Sequence, residues 1–388
     1  MARAPRPSRL IPVYIGTSVF GLTYGLSAPL ISLALHKQGV GESLIGANAG
    51  MYALGVLLVA VSLRRGLAAF GAWPVLGAAL LLVALTIPTF WLVWWIPAWF
   101  VLRFLLGAAS EAVMVVTEAW VSEVSEASAR ATNMAIYTAA LSVGFALGPA
   151  ILAVFGSDGA AAYLAGCGLA LAAFCVLWGS GARPPAFAAG ESGPGFLATA
   201  ASMPLALGAT ALNAALETSG LSLLPIYAVQ QGWPEHGAML LITVLMVGAI
   251  LLQLPIGWLG DRVPRPTLML ALALVSIAGA LIWPQAMSHR PAAFALLFLW
   301  GGAFVGIYTL MVTEVGARFR GGDLIAAYGV MSLAWGAGAL AGPVLAGLAL
   351  EFTQHGLPYF AAAACIAFAL PLAWSIARSS HGRRPRGA

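Results

Sequence analysis

The stretch VMVVTEAW, residues 113–120, has an echo in TLMVTEVG, residues 309–316. Each places an acid, Glu118 or Glu314, at the end of an apolar run, and the shared Val-Thr-Glu returns 196 residues later. Three more pairs keep nearly the same spacing. Pro29 in SAPLISL matches Pro225 in LLPIYAV, QGVGES (38–43) matches QGWPEH (231–236), and GFALGP (144–149) matches GALAGP (338–343). The pairs run in the same order in both halves of the chain, the trace that a duplicated unit leaves.

Composition says what the unit is made of. The chain is 61% hydrophobic and 8% charged over 388 residues, against roughly 25% charged in ordinary soluble domains. Its mean hydropathy is +0.94. No soluble core hides that much apolar surface, so the chain is read as crossing a lipid bilayer many times. About twelve hydrophobic segments can be marked, near 10–35, 43–63, 72–95, 97–122, 131–155, 160–179, 201–229, 237–260, 267–287, 291–316, 323–352 and 357–377. Most exceed the ~20 residues that a span requires. Trp91, Trp94, Trp95 and Trp99 gather around Pro97, as an aromatic belt at a membrane surface does.

The predicted fold is therefore all-α and integral to the membrane: twelve transmembrane helices in two pseudo-symmetric six-helix bundles, residues 1–180 and 201–388. A cytoplasmic linker at 181–200 joins them, taking in most of the Gly/Pro-rich run GSGARPPAFAAGESGPGF (179–196).

The net charge of +5 reports topology rather than a nucleic-acid partner. With the N-terminus in the cytoplasm, Arg3, Arg6, Arg9, Arg64, Arg65, Arg130, Arg183, Arg262, Arg265, Arg318, Arg320, Arg378, Arg383, Arg384 and Arg386 fall inside, and only Lys37 and Arg290 fall outside. Such a bias sets both termini in the cytoplasm of a bacterial inner membrane protein. The apolar run after MARAPRPSRL imitates a signal peptide but is too long, and further spans follow it. The only lysine, Lys37, follows Leu35-His36 and not a glycine-rich loop, which excludes a P-loop ATPase. Cys167, Cys175 and Cys365 lie in apolar runs without metal or redox spacing, and no two histidines stand at a metal-ligand spacing. No metal and no cofactor are expected.

At this point the sequence resembles the major facilitator superfamily. GWLGDRVPRP, Gly257 to Pro266, is similar to the loop signature G-x-L-x-D-R-x-G-R-R, with Gly257, Leu259, Asp261, Arg262 and Arg265 in place and prolines at 264 and 266. The first half has SLRRGLAAFG there instead, with Arg64 and Arg65 but no aspartate. RFLLG, Arg103 to Gly107, looks like the fourth-span pattern R-x-x-x-G. GFALGP resembles the Gly-Pro pattern of antiporters and recurs as GALAGP, marking Gly144, Gly148, Pro149, Gly338, Gly342 and Pro343 as helix-packing positions. The VTEAW and RATNMAIY contexts resemble drug:proton antiporter-like bacterial members. The resemblance implies a monomeric transporter whose central cavity is lined by spans 1, 4, 7 and 10.

Charge at the bilayer centre costs about 2.5–3.5 kcal/mol, so charges within spans face a protein interior or a wet cavity. Those charges are Arg103, Glu111 and Glu118 in span 4, Glu217 in span 7 and Glu314 in span 10. At ~1.5 Å per residue Glu111 lies near mid-membrane, while Glu118 is ~30 Å in, at the cytoplasmic edge. Glu314 is equally shallow, which suits Glu118 and Glu314 to a cytoplasmic gate. Their partners there would be Arg64 or Arg65 in the first half, and Arg262 or Arg265 beside Asp261 and Gly257 in the second. A fixed interfacial ion pair and direct substrate contact are the alternatives. Glu111 and Glu217 are unrepeated: at the same offset stand Ile307 and Gly21. A carboxylate facing a low-dielectric cavity is a candidate for proton exchange or substrate binding. Asn213 sits one turn before Glu217, and Arg103 is placed to act on Glu111 or on an anionic substrate group. The alternative is a polar contact that locks helices together.

Three functions compete: proton-coupled efflux of a small organic molecule, proton-coupled import of a nutrient, vitamin or metabolite, and a membrane receptor or enzyme without transport. The resemblance favours efflux, and no HExxH, GxSxG or sizeable soluble region supports the third.

Overall fold

The computed structural model describes residues 10–125, 130–184, 196–319 and 321–381. Arg3, Arg6, Arg9, Arg320, Arg383, Arg384, Arg386, the side chains of Arg64 and Arg130 and the middle of the expected linker lie outside the described residues. The described chain is helical nearly throughout. Its first helices are α1 (Ile11–Lys37), α2 (Glu42–Phe70), α3 (Ala72–Leu92), α4 (Ile96–Val124), α5 (Arg130–Phe155) and α6 (Ala161–Gly179). A short α7 (Phe196–Ser202) leads to α8 (Pro204–Gln230), α9 (Glu235–Leu251), α10 (Gln253–Gly260), α11 (Arg265–Ala286), α12 (Arg290–Arg318), α13 (Gly321–Phe352) and α14 (Gly356–His381).

Local chemistry sets the breaks. The apolar run 72–122 divides where Val93 and Trp95 are extended and Pro97 enters the first turn of α4. A proline is tolerated there because the first-turn N–H groups have no helical partner. Trp99 fastens the corner, its Nε1 donating to the Val93 carbonyl at 2.6 Å. The segment expected as one helix over 237–260 is two, α9 and α10, with the break at Leu252. Pro255 explains it: it has no N–H to donate to the carbonyl four residues back. The last residues of the expected linker are helical as α7, and Pro204 then opens α8.

Among the described residues eleven helices are long and apolar enough to cross a membrane, α9 and α10 counting as one; the chain is a multi-pass membrane protein. α8 stands apart from those eleven. It is as long as α1, 27 residues, but Thr210, Asn213, Glu217, Thr218, Ser219 and Ser222 lower its hydropathy. It packs against α1, α2, α9, α12, α13 and α14.

The packing repeats. Among the first six helices α1 lies against α5, α2 against α4, and α3 against α4 and α6. In the same way α8 lies against α13, α9 against α12, and α11 against α12 and α14. α2 with α13 and α5 with α9 join the two sets. Glycines let the α1/α5 and α8/α13 backbones touch. A Cβ on Gly144 or Gly148 would strike the α1 backbone at Ser18 or Gly25, and one on Gly338 or Gly342 would strike α8 at Ala211 or Ala215. Pro149 and Pro343 sit inside α5 and α13 beside these contacts. The α2/α13 seam is equally close, with Gly46 against the Pro343 carbonyl and Gly347 against that of Glu42.

Candidate functional site

Successive long helices alternate in direction, so the bundle has an end where the described chain begins and finishes, at Leu10 and His381 (the end with the termini), and a far end with the connections near 37–42, 92–96, 155–161, 230–235, 286–290 and 352–356. Between these ends lies a polar line within an apolar interior. Arg103 of α4 is buried at 2% exposure. Its Nη1 reaches the Ser27 carbonyl at 3.5 Å, its guanidinium stands 5.4 Å from the centre of the Tyr52 ring, and its Nε has no partner. No carboxylate pairs with it among the described residues. Tyr52 packs on Tyr24 at 4.8 Å between centroids, and Tyr24 on Phe145 at 5.3 Å. Tyr24 in turn lies within electrostatic reach of both Arg103 and Glu217.

Glu217 is half-buried on α8. It accepts one side-chain hydrogen bond, from Asn213 Nδ2 at 3.2 Å, one helical turn earlier. Asn213 is buried and its Oδ1 has no partner. Tyr308 of α12 is within reach of Glu217 and Glu118, and Tyr137 of α5 is within reach of Glu118 and Glu111. The Tyr137 hydroxyl is fixed by Thr117 and the Met114 carbonyl, both at 3.2 Å. Glu111, half-buried on α4, has no ion-pair partner among the described residues.

Toward the end with the termini, the two repeated acids part company. Glu314 accepts from Arg265 Nη1 at 3.3 Å. Arg262 turns away, donating to the Trp258 carbonyl at 3.1 Å with its guanidinium 3.8 Å over that indole. Glu118 is exposed and has no arginine partner among the described residues, and Asp261 is exposed as well. A Cβ on Gly257 would touch nothing, so packing gives no reason for that glycine.

The far end carries a network that the sequence reading did not single out. Lys37 Nζ donates to Ser157 Oγ at 2.6 Å, Asp158 Oδ1 at 2.8 Å and Glu235 Oε2 at 2.6 Å. The other oxygen of Glu235 accepts the Ser157 backbone N–H at 2.7 Å. Beside it, Gln230 donates to Glu42 at 2.7 Å and the Ser43 N–H to Glu351 at 3.2 Å. Several of these bonds tie α1–α6 to α8–α14. Among the described residues, no side-chain hydrogen bond or ion pair of that kind is found at the end with the termini. The available signal was modest: the sole lysine, at a helix end, level with two acids on connections of the same side.

Comparison with known proteins gives this geometry its setting. The family model of the Major Facilitator Superfamily matches residues 13–234 and 205–388. YfkF of Bacillus subtilis (strain 168), named as an uncharacterized MFS-type transporter, is 24% identical over 375 residues, covering 88% of this chain and 89% of that protein. Solved structures share the fold at low identity. The nucleoside transporter NupG superposes with a TM-score of 0.76 at 15% identity, over 95% of this chain and 98% of its own. A bacterial homologue of the human lysosomal transporter Spinster, inward-facing and unoccupied, gives 0.72 at 14%, over 96% of each chain. A D-xylose–proton symporter gives 0.71 at 15%, over 94% and 96%. With the family model matched along nearly its whole length, the chain belongs to the Major Facilitator Superfamily and is a transporter rather than an enzyme.

Proposed function

We propose that this chain is a proton-coupled secondary transporter of the drug:proton antiporter-like branch, exporting a small organic molecule from a bacterial cell by alternating access. In this reading α8 is the twelfth span. Residues 1–180 and 201–388 form two six-helix bundles joined by a linker at 181–200, and a single copy works in the inner membrane with both termini in the cytoplasm. The arginine bias supports that orientation. The observation that carries the reading is the set of bonds that ties the two halves together at the far end. The Lys37 network binds the two bundles at the far end, and no described bond does so at the other. A far end held shut in this way suits the inward-open state of a machine that rocks about a midplane site.

Within it, Glu217, oriented by Asn213, carries the proton and meets the substrate. Glu111 serves as a second acid, and Arg103 with Tyr24 and Tyr52 shapes the wall. Glu314 with Arg265, and Glu118, act at the cytoplasmic gate. In inverted vesicles under an imposed pH gradient, an exported compound drives proton movement and accumulates. Glu217→Gln lowers gradient-driven flux at least tenfold while leaving exchange down the compound's own gradient. If Glu217→Gln and Glu111→Gln both transport as wild type does, the acids have no part in coupling and the proposal fails. Proton-linked accumulation in the opposite sense would make the protein an importer.

A further inference from the structure

A crevice of about 710 Å³ opens between α8, α13 and α14. Its floor is small residues, Gly208 and Ala211 of α8 and Ala341 of α13, and its wall is Phe368 and Trp374 of α14. Ala341 and Trp374 are exposed on the outer surface of the bundle, where hydrocarbon is the solvent. A Cβ placed on Gly208 would find nothing nearer than Phe368 at 3.6 Å, whereas on α1 the side chain of Leu177 from α6 lies against Gly16. The seam that α6 closes in the first helices stays open beside α14.

The lining runs from Phe360 to Ser375 of α14, ~22 Å at the helical rise. One leaflet supplies about half of a ~30 Å hydrocarbon core, so the length suits a single acyl chain. A helix ~10 Å wide over that length needs roughly 1,700 Å³, which excludes a partner's span. At the end nearest the chain termini the crevice meets polar groups. Ser375 lines it, and exposed Arg378 follows one turn later with its guanidinium 3.5 Å from the Trp374 ring. No acid pairs with Arg378 among the described residues. A guanidinium in that place matches a phosphate, and basic groups beside a span draw anionic lipid.

We propose that this crevice is a binding site for an anionic phospholipid, one acyl chain lying in the groove and the phosphate on Arg378 and Ser375. The site is separate from the transport path and does not depend on what is transported. The test uses the full chain, equilibrated in vesicles of equal phosphatidylglycerol and phosphatidylcholine, extracted in mild detergent and weighed intact by native mass spectrometry. Wild type retains one phosphatidylglycerol in at least fivefold preference to phosphatidylcholine. Ala341→Phe and Ala367→Phe, which fill the groove from its exposed side, lower retention at least tenfold while melting like wild type in lipid-free detergent. If one of them fails to fold, the other reads the site. Arg378→Gln keeps a lipid but loses the headgroup preference. Retention unchanged in both phenylalanine variants, or no preference in wild type, overturns the proposal. A dimer that Ala341→Phe dissociates overturns it in favour of a second copy.

Discussion

Replacing Lys37 by methionine keeps the length of the side chain and removes every bond of the far-end network that crosses through its ammonium. Lys37 is 38% exposed, Glu235 24% and Asp158 89%. The Asp158 contact is a surface pair, about 0–1 kcal/mol. The less exposed bond to Glu235 belongs to the charged class, about 1.5–3 kcal/mol. Rehydration of both groups when the far end opens offsets part of this, and the net loss is about 1–2 kcal/mol. That corresponds to a roughly 5–30-fold rise in the far-end-open population. Spin labels at Ala161 and Thr353, with Cys167, Cys175 and Cys365 replaced, report the separation across that end by pulsed electron resonance. The longer-distance component should grow by that factor in Lys37→Met and in Glu235→Gln, and the double variant should add little. Asp158→Asn should change it less than about twofold. Distance distributions in Lys37→Met and Glu235→Gln that overlay on wild type would refute the reasoning, because the network would then hold nothing shut.

Two smaller effects follow from the same geometry. The Glu314–Arg265 pair is 47% and 26% exposed, so a double-mutant cycle with Glu314→Gln and Arg265→Gln on melting should give a coupling of only ~0.5–1 kcal/mol. Gly338→Val drives a side chain into the Ala211 backbone and should cost at least ~2 kcal/mol or abolish expression, while Gly257→Ala, with open space around it, should stay within ~0.5 kcal/mol.

The sequence was most readable where a feature is both repeated and apolar. GFALGP and GALAGP were marked as packing positions, and their glycines lie against the α1 and α8 backbones. Pro255 was overlooked because it sits in an unbroken apolar run, and hydropathy does not register a missing N–H. Glu118 and Glu314 look like twins in sequence, yet among the described residues, which leave out the Arg64 side chain, only Glu314 meets an arginine. The difference lies behind them: α11 opens with Arg265, whereas α3 opens at Ala72 with no basic residue. The far-end network is not legible in the sequence, because Lys37 meets Ser157 and Glu235 across separations of 120 and 198 residues.

The two seams between the proposed bundles are built differently. Along α2 and α13, Gly46 and Gly347 bring main chain against main chain near the far end. Along α5 and α9 no glycine does this: Gly144 and Gly148 face α1, and Gly248 faces α12. In the proposed rocking cycle the tightest contact serves as the axle, which sets it off-centre, beside α2 and α13. The mouth then opens as a wedge, narrow at that hinge and widest between α5 and α9, and a bulky cargo has one preferred door.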